Sequence, residues 1–282
     1  MVYFVDTTSN APMVSHVISG DAKVTAVTSL GDDVFVLRYK SSHQVEVYDA
    51  VTFTLQRRLS VPGLGFSLGL AACASNKCLY ASDYSNDHVH RVELSGNNAV
   101  TKWSVGHGPA GLIVNSAENT LVVIRDERKL QEFTTYGNLL QTIQLQPDIE
   151  FPRQVVELSN GQLMISHIGR NHRVCLWDVS GTAVQSYGGS PGSYLTNMHY
   201  PAGLAVDKNE NILVADMSNN RLLVLDRLLT SAHEMSVAVV GGPNNPFSVW
   251  YDKSRGRLYV GELDGQRLII IDHLKDFNAS QV

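Results

Sequence analysis

Short apolar runs of four to seven residues recur along the chain, separated by polar turns, and no stretch sustains a helical period. The segment Pro201 to Asp226, PAGLAVDKNENILVADMSNNRLLVLD, shows the pattern most clearly. It divides into three runs, Gly203–Asp207, Ile212–Asp216 and Leu222–Asp226, joined by turns of four or five residues. Apolar runs this short, bounded by Asn, Asp, Gly and Ser, predict strands in an antiparallel meander.

The same three-strand unit returns along the chain, which makes the repeat the first fact to settle. Further copies run from Pro246 to Asp272, Pro152 to Asp178, Pro109 to Thr135, Ser67 to Glu93 and Ala22 to Asp49. The last residues of the third strands fall at 49, 93, 135, 178, 226 and 272, spaced by 42 to 48 residues. A fourth strand is predicted after each of the first five units, at Thr54–Val61, Ala99–Val105, Leu139–Leu145, Ala183–Gly188 and Met235–Val240. The sixth unit has only ten residues after it, so its outer strand is assigned to Met13–Ser19 from the other end. That pairing closes a ring and removes an exposed edge. The expected fold is all-β: a six-bladed β-propeller of four-stranded antiparallel blades forming one domain over 1–282. The blades span about 22–61, 67–105, 109–145, 152–188, 201–240 and 246–272 plus 13–19.

The string P-A-G-L-A-V-D … N-I-L-V-A-D-M-S-N-N-R-L-L-V-L-D resembles an NHL repeat, strongly in the fifth copy and more loosely in the others. The chain is thus similar to NHL-repeat propellers, best known as the C-terminal domain of tripartite-motif proteins. The resemblance implies a platform that selects protein or RNA partners. The zinc-binding Cys/His clusters of the ligase modules in those proteins are absent, so the resemblance brings no ligase activity. Within the repeat, Asp216 with Arg221 and Glu262 with Arg267 are expected to pair across a tight turn, with Asp83 and His88 as a weaker version. Gly203 and Gly111 are expected where inner strands approach one another near the axis.

Charge narrows the partners. The 22 basic and 27 acidic residues give a net charge of −5, unlike a surface built wholly for phosphate backbones. No apolar run reaches the roughly 18 residues of a membrane span, and no signal peptide is visible at Met1–Asp6, so a cytoplasmic location is expected. Cys73 and Cys78 are spaced to face each other across a hairpin. With Cys175 they are read as buried thiols.

Catalytic readings fare poorly at residue level. Amidating lyases of the propeller family hold zinc with histidines placed just after the proline opening an inner strand. The matching positions here are Lys23, Leu68, Ala110, Arg153, Ala202 and Phe247, none of which replaces such a histidine. Calcium-dependent propeller hydrolases use inward carboxylates and amides, whereas Asn115, Glu157, Asp207 and Asp252 fall at the far ends of these inner strands. Two G-x-S-x-G matches, at Gly65–Gly69 and Gly188–Gly192, lack the strand and helix a nucleophile elbow needs. No catalytic residue, metal ligand or cofactor is therefore assigned. His167, His172 and His199 cluster in neighbouring loops, where a proton-linked or metal role competes with plain surface histidines.

Loops joining the second to the third strand, and each outer strand to the next blade, share one face of a propeller. Nine bases, from Lys40 to Arg267, meet nine acids on that face, but blades three and four are richer in bases. The candidate binding residues are Arg125, Arg128, Lys129, Phe151, Arg153, Arg170, His172, Arg173, Tyr194, His199 and Tyr200. The long loop Gly188–Tyr200 joins this set, and long loops in compact domains are often functional. Arginines interleaved with aromatics suit a protein hot spot or single-stranded RNA. The reading favoured is a non-catalytic module that binds a protein or peptide, alone or as the recognition part of a larger protein. An RNA-binding propeller is the alternative, and a metal-dependent propeller hydrolase or lyase the second alternative.

Overall fold

The computed structural model describes residues 13–39, 43–178 and 182–272. Lys40, one of the bases counted above, lies outside them. The described chain forms six four-stranded antiparallel sheets. The inner strands are Val24–Leu30, Leu70–Cys73, Pro109–Val114, Pro152–Glu157, Pro201–Val206 and Pro246–Asp252. Each packs against the inner strands of the preceding and following blades, and the last meets the first, which closes the ring. The N-terminal strand Met13–Ser19 is the outer strand of the sixth blade, with Met13 opposite Asp272 and Ser19 opposite Arg267.

Burial explains the apolar runs. A middle strand is covered on both faces by neighbouring blades, so it reads as continuous Val, Ile and Leu rather than as an alternation. Val122, Val123 and Ile124 are all fully shielded, as are Met164, Ile165, Val214 and Val260. Outer strands face solvent and turn polar, as in Leu55–Ser60 and Leu139–Gln144. Adjacent blades share cores: Met164, Val174 and Leu176 of blade four pack with Leu204, Ile212 and Val214 of blade five.

The expected glycines sit at the tightest inner contacts. A Cβ on Gly203 would lie 2.7 Å from the Phe247 carbonyl oxygen and 2.9 Å from the Val249 nitrogen. Gly111 meets the Arg153 carbonyl in the same way, at 2.6 Å, and Gly69 meets that of Ala110 at 2.7 Å. Only a missing side chain lets the backbones approach so closely.

Two local expectations are corrected. The outer strand of blade five is Ala232–Met235, not Met235–Val240. Asp226 accepts backbone hydrogen bonds from Leu228, Thr230 and Ser231, which folds the intervening turn tightly and starts the strand at once. Asp83 lies opposite His88 in register, yet its carboxylate bonds His90 Nε2 at 3.1 Å. The His88 ring turns instead to the Asn86 carbonyl. Cys73 and Cys78 are cross-strand neighbours, buried and unbridged, as is Cys175.

Candidate functional site

The loop face is held by a repeated latch. An acid at the end of the second strand accepts the backbone N–H of the incoming inter-blade loop and pairs with a base on the third strand. Asp216 accepts from His199 N at 2.7 Å and Arg221 Nε at 2.8 Å. Glu262 accepts from Asn244 N at 2.8 Å and Arg267 Nε at 2.6 Å, while Asp83 accepts from Gly65 N at 3.0 Å. In blade three Ile124 occupies the acid position, and Glu127 serves from the turn, taking His107 N and Lys129 Nζ at 2.6 Å each. Blade four departs further, placing His167 there, fully buried. Burial first, then the nearby Arg173 charge, push its pKa down to about 4, so the ring is neutral at physiological pH.

Around the channel mouth the latches position an aromatic collar. Tyr39 meets Phe66 edge-on at 5.2 Å, and Phe66 meets Tyr84 at 6.1 Å. The Arg125 guanidinium lies 5.9 Å from the Tyr84 ring centre and 5.0 Å from that of Phe151. His172 stacks on His199 at 5.4 Å, and its Nδ1 accepts the Tyr200 N–H at 2.9 Å. That bond assigns the proton of the neutral ring to Nε2. Burial, with His199 next, lowers the His172 pKa. Phe151 and Tyr200 both hold positive φ, 48° and 67°, at the position where other blades use Gly108 and Asn245. A bulky residue in that region is strained, and such strain collects at functional sites.

The loop after the outer strand of blade four is pinned from beneath. The Arg221 guanidinium donates to the carbonyls of Ser193, Tyr194 and Asn197 at 2.9, 3.0 and 2.8 Å. Asn219 Nδ2 bonds the Gly192 carbonyl at 2.8 Å, and Tyr187 Oη that of Leu195 at 2.9 Å. On this fixed backbone Tyr194 is 80% exposed and Leu195 42% exposed.

The six candidate bases of blades three and four are not one patch. Arg128 and Arg170 are exposed. Lys129 is bonded to Glu127, and Arg173 faces Asp148 at 3.7 Å. Arg153 is not on the surface: it is 7% exposed and lines the central channel. Its guanidinium reaches across the mouth to the rings of Phe247 at 4.8 Å and Tyr200 at 5.8 Å. Burial, reinforced by the charge of Arg125, lowers its pKa to about 10. Sequence reasoning missed Tyr39, Phe66, Tyr84 and Phe247 as collar members, because their meeting depends on ring closure. The exposure of Leu195 had no sequence signal.

Below the mouth runs a channel of about 460 Å³ between the inner strands. Asn115, Asp207 and Asp252, weighed above as cation ligands, fold the hairpin turns at its far end, where each accepts nearby backbone N–H groups. Glu157 there accepts from the Ser116 N–H and hydroxyl. Among the described residues no three His, Cys, Asp or Glu side chains gather as a metal site. Nor, among them, is any helix long and apolar enough to cross a membrane.

Comparison with known proteins agrees with this architecture. Residues 198–225 match the NHL repeat, which covers the inner and middle strands of blade five. No curated protein matches the chain at a significant level. Solved structures with similar folds include a streptogramin B lyase, 10% identical with a TM-score of 0.68 over 91% of this chain and 97% of that one. Hydrazine synthase from Kuenenia stuttgartiensis is 16% identical, with a TM-score of 0.68 over 92% and 98%. Virginiamycin B lyase from Staphylococcus aureus is 8% identical, with a TM-score of 0.67 over 91% and 98%. At these identities the likeness is one of fold. The matched NHL repeat lies in the fifth of six four-stranded blades, so the chain carries an NHL repeat within a six-bladed propeller.

Proposed function

We propose that this propeller is a non-catalytic recognition module that binds a protein or peptide partner across its loop face. The observation that carries the reading is the loop 189–200. Its backbone is fixed by Arg221, Asn219 and Tyr187, while Tyr194 and Leu195 stand out into solvent. An exposed aromatic on a pre-ordered backbone loses little entropy on binding, which is what an interface anchor requires. Phe151, exposed and strained beside Arg125, extends the same surface.

A single-stranded RNA partner is less well supported. Phosphate binding needs free cations, and Lys129 and Arg173 already face carboxylates while Arg153 is inside the channel. Among the described residues no three His, Cys, Asp or Glu side chains gather as a metal site, so a metal-dependent reaction ranks third.

The test is capture of partners on wild-type protein and on Tyr194→Ala, with affinity measured for each specific hit. Truncation of Tyr194 is expected to weaken binding at least tenfold, about 1.4 kcal/mol, with the melting temperature unchanged. Partners that bind both forms equally would remove the loop from the reading. Binding of a random single-stranded RNA pool at physiological salt, lost on reversing Arg170 and Arg173, would put RNA in its place.

A further inference from the structure

We infer that the central channel is a binding site for a small apolar carboxylate, whose head group pairs with Arg153 at the loop-face end while its hydrocarbon part lies along the inner strands. This site is separate from the outer loop surface and does not depend on the partner proposed for it.

Arg153 carries the inference. Among the described residues its guanidinium makes no hydrogen bond or ion pair, and its Nε is shielded from solvent without a partner. Buried cations are normally matched by a carboxylate, because an uncompensated charge in a low-dielectric interior is strongly unfavourable. The other buried arginines among the described residues obey that rule: Arg38 pairs with Glu46, Arg91 with Glu93 and Arg221 with Asp216. Around Arg153 stand the ring faces of Phe247 and Tyr200 and the like charge of Arg125. Arg125 does not bring an acid to it, since its Nη1 is donated to the Tyr84 hydroxyl at 3.0 Å. The ring faces offset part of the cost, but they leave the forked N–H donors unused.

Among the described residues no internal anion fills the gap. The carboxylates lining the channel, Glu157 and Asp252, sit at its other end, where Glu157 accepts from Ser116 of the neighbouring blade and Asp252 from its own turn. Glu157 is four residues further along the strand, about 13 Å at the rise of an extended chain. With no carboxylate of the described residues reaching Arg153, the site is open to an anion from outside.

The rest of the channel defines that anion. Its walls carry Leu70, Ala72, Ile113, Val114, Leu204 and Val249. Toward the loop face, Leu68, Ala202 and Phe247 pack with Phe66, Tyr84 and Tyr200 and narrow it. Toward the other face it is bordered by the hairpin residues Gly31, Lys253 and Ser254. A volume near 460 Å³ falls within the range of small-molecule sites. One guanidinium matches one carboxylate through two parallel bonds. A dianion would keep one charge unmatched by Arg153 beside the Leu68, Ala202 and Phe247 side chains, which disfavours a phosphate monoester.

Octanoate titrated calorimetrically into the protein tests this, with octanol and octylamine as neutral and cationic chains of equal length. Octanoate is expected to bind one per chain, to raise the melting temperature, and to bind at least tenfold tighter than either control. Arg153→Gln should weaken octanoate at least tenfold and leave octanol unchanged. Ala72→Trp, which fills the channel without touching Arg153, should weaken both, and it decides the matter if the Arg153 variant fails to fold. Equal affinity for octanoate and octanol would overturn the proposal. So would wild-type octanoate binding by Arg153→Gln, or no binding of octanoate, decanoate or 3-phenylpropanoate up to millimolar concentration.

Discussion

His167 makes acid pH a specific perturbation of blade four. Its ring occupies the place where Asp216 and Glu262 sit in other blades, fully buried and with a pKa near 4. In the unfolded chain a histidine titrates near 6.5. The unfolded state therefore binds more protons between these values, and stability falls as pH falls through that window. The contribution is complete above pH 6.5, and at pH 5 about 2 kcal/mol of it is lost, growing to about 3 kcal/mol near pH 4. Arg173, Asp148, His172 and the Glu150 backbone are the groups that set the value after burial itself. The assay is urea denaturation of wild type and His167→Gln at pH 7.5, 6.5, 5.5 and 5.0. Other groups titrate in both proteins, so the difference between the two curves isolates this ring. The gap should change by about 2 kcal/mol between pH 7.5 and 5. A constant gap, or an NMR titration placing His167 near 6.5, would refute the reasoning.

Asp216→Ala should cost about 3–5 kcal/mol by leaving Arg221 buried without its partner, and limited proteolysis should then cut within 189–200. Gly203→Ala should cost at least about 2 kcal/mol, because its Cβ meets backbone on the neighbouring strand, whereas Gly189→Ala, with open space around it, should stay within about 0.5 kcal/mol in the same urea series. Phe151→Gly relieves a left-handed aromatic worth about 1–2 kcal/mol of strain, so its melting temperature should hold or rise despite the lost ring. A clear fall would place Phe151 in the structural framework instead of the binding surface.

The architecture was legible in the sequence for a physical reason. Each middle strand is buried on both faces by its neighbours, so blades four and five had to write their interiors as the unbroken runs LMIS and ILVA. The third-strand spacing counted the blades, and Met13–Ser19, assigned from the sequence as the outer strand of the sixth, pairs with Arg267–Asp272 as the closing partner. The Asp216–Arg221 and Glu262–Arg267 latches were equally readable, because five residues across one tight turn fix their contact locally. The outer strand of blade five was misplaced where side-chain hydrogen bonding to Asp226, not hydrophobic period, set the boundary.

What the chain could not announce is which side chains from distant blades share the axis. Arg153 reads as one more surface base beside Arg170 and Arg173, yet it ends inside the ring against Phe247, 94 residues later. The collar of Tyr39, Phe66, Tyr84 and Tyr200 likewise exists only once six blades have closed. Local pattern determined the strands, their number and their order, because those depend on neighbours a few residues away. The burial of a charge, the exposure of Tyr194 and the make-up of the channel were decided by tertiary structure, since each is a property of the space between elements.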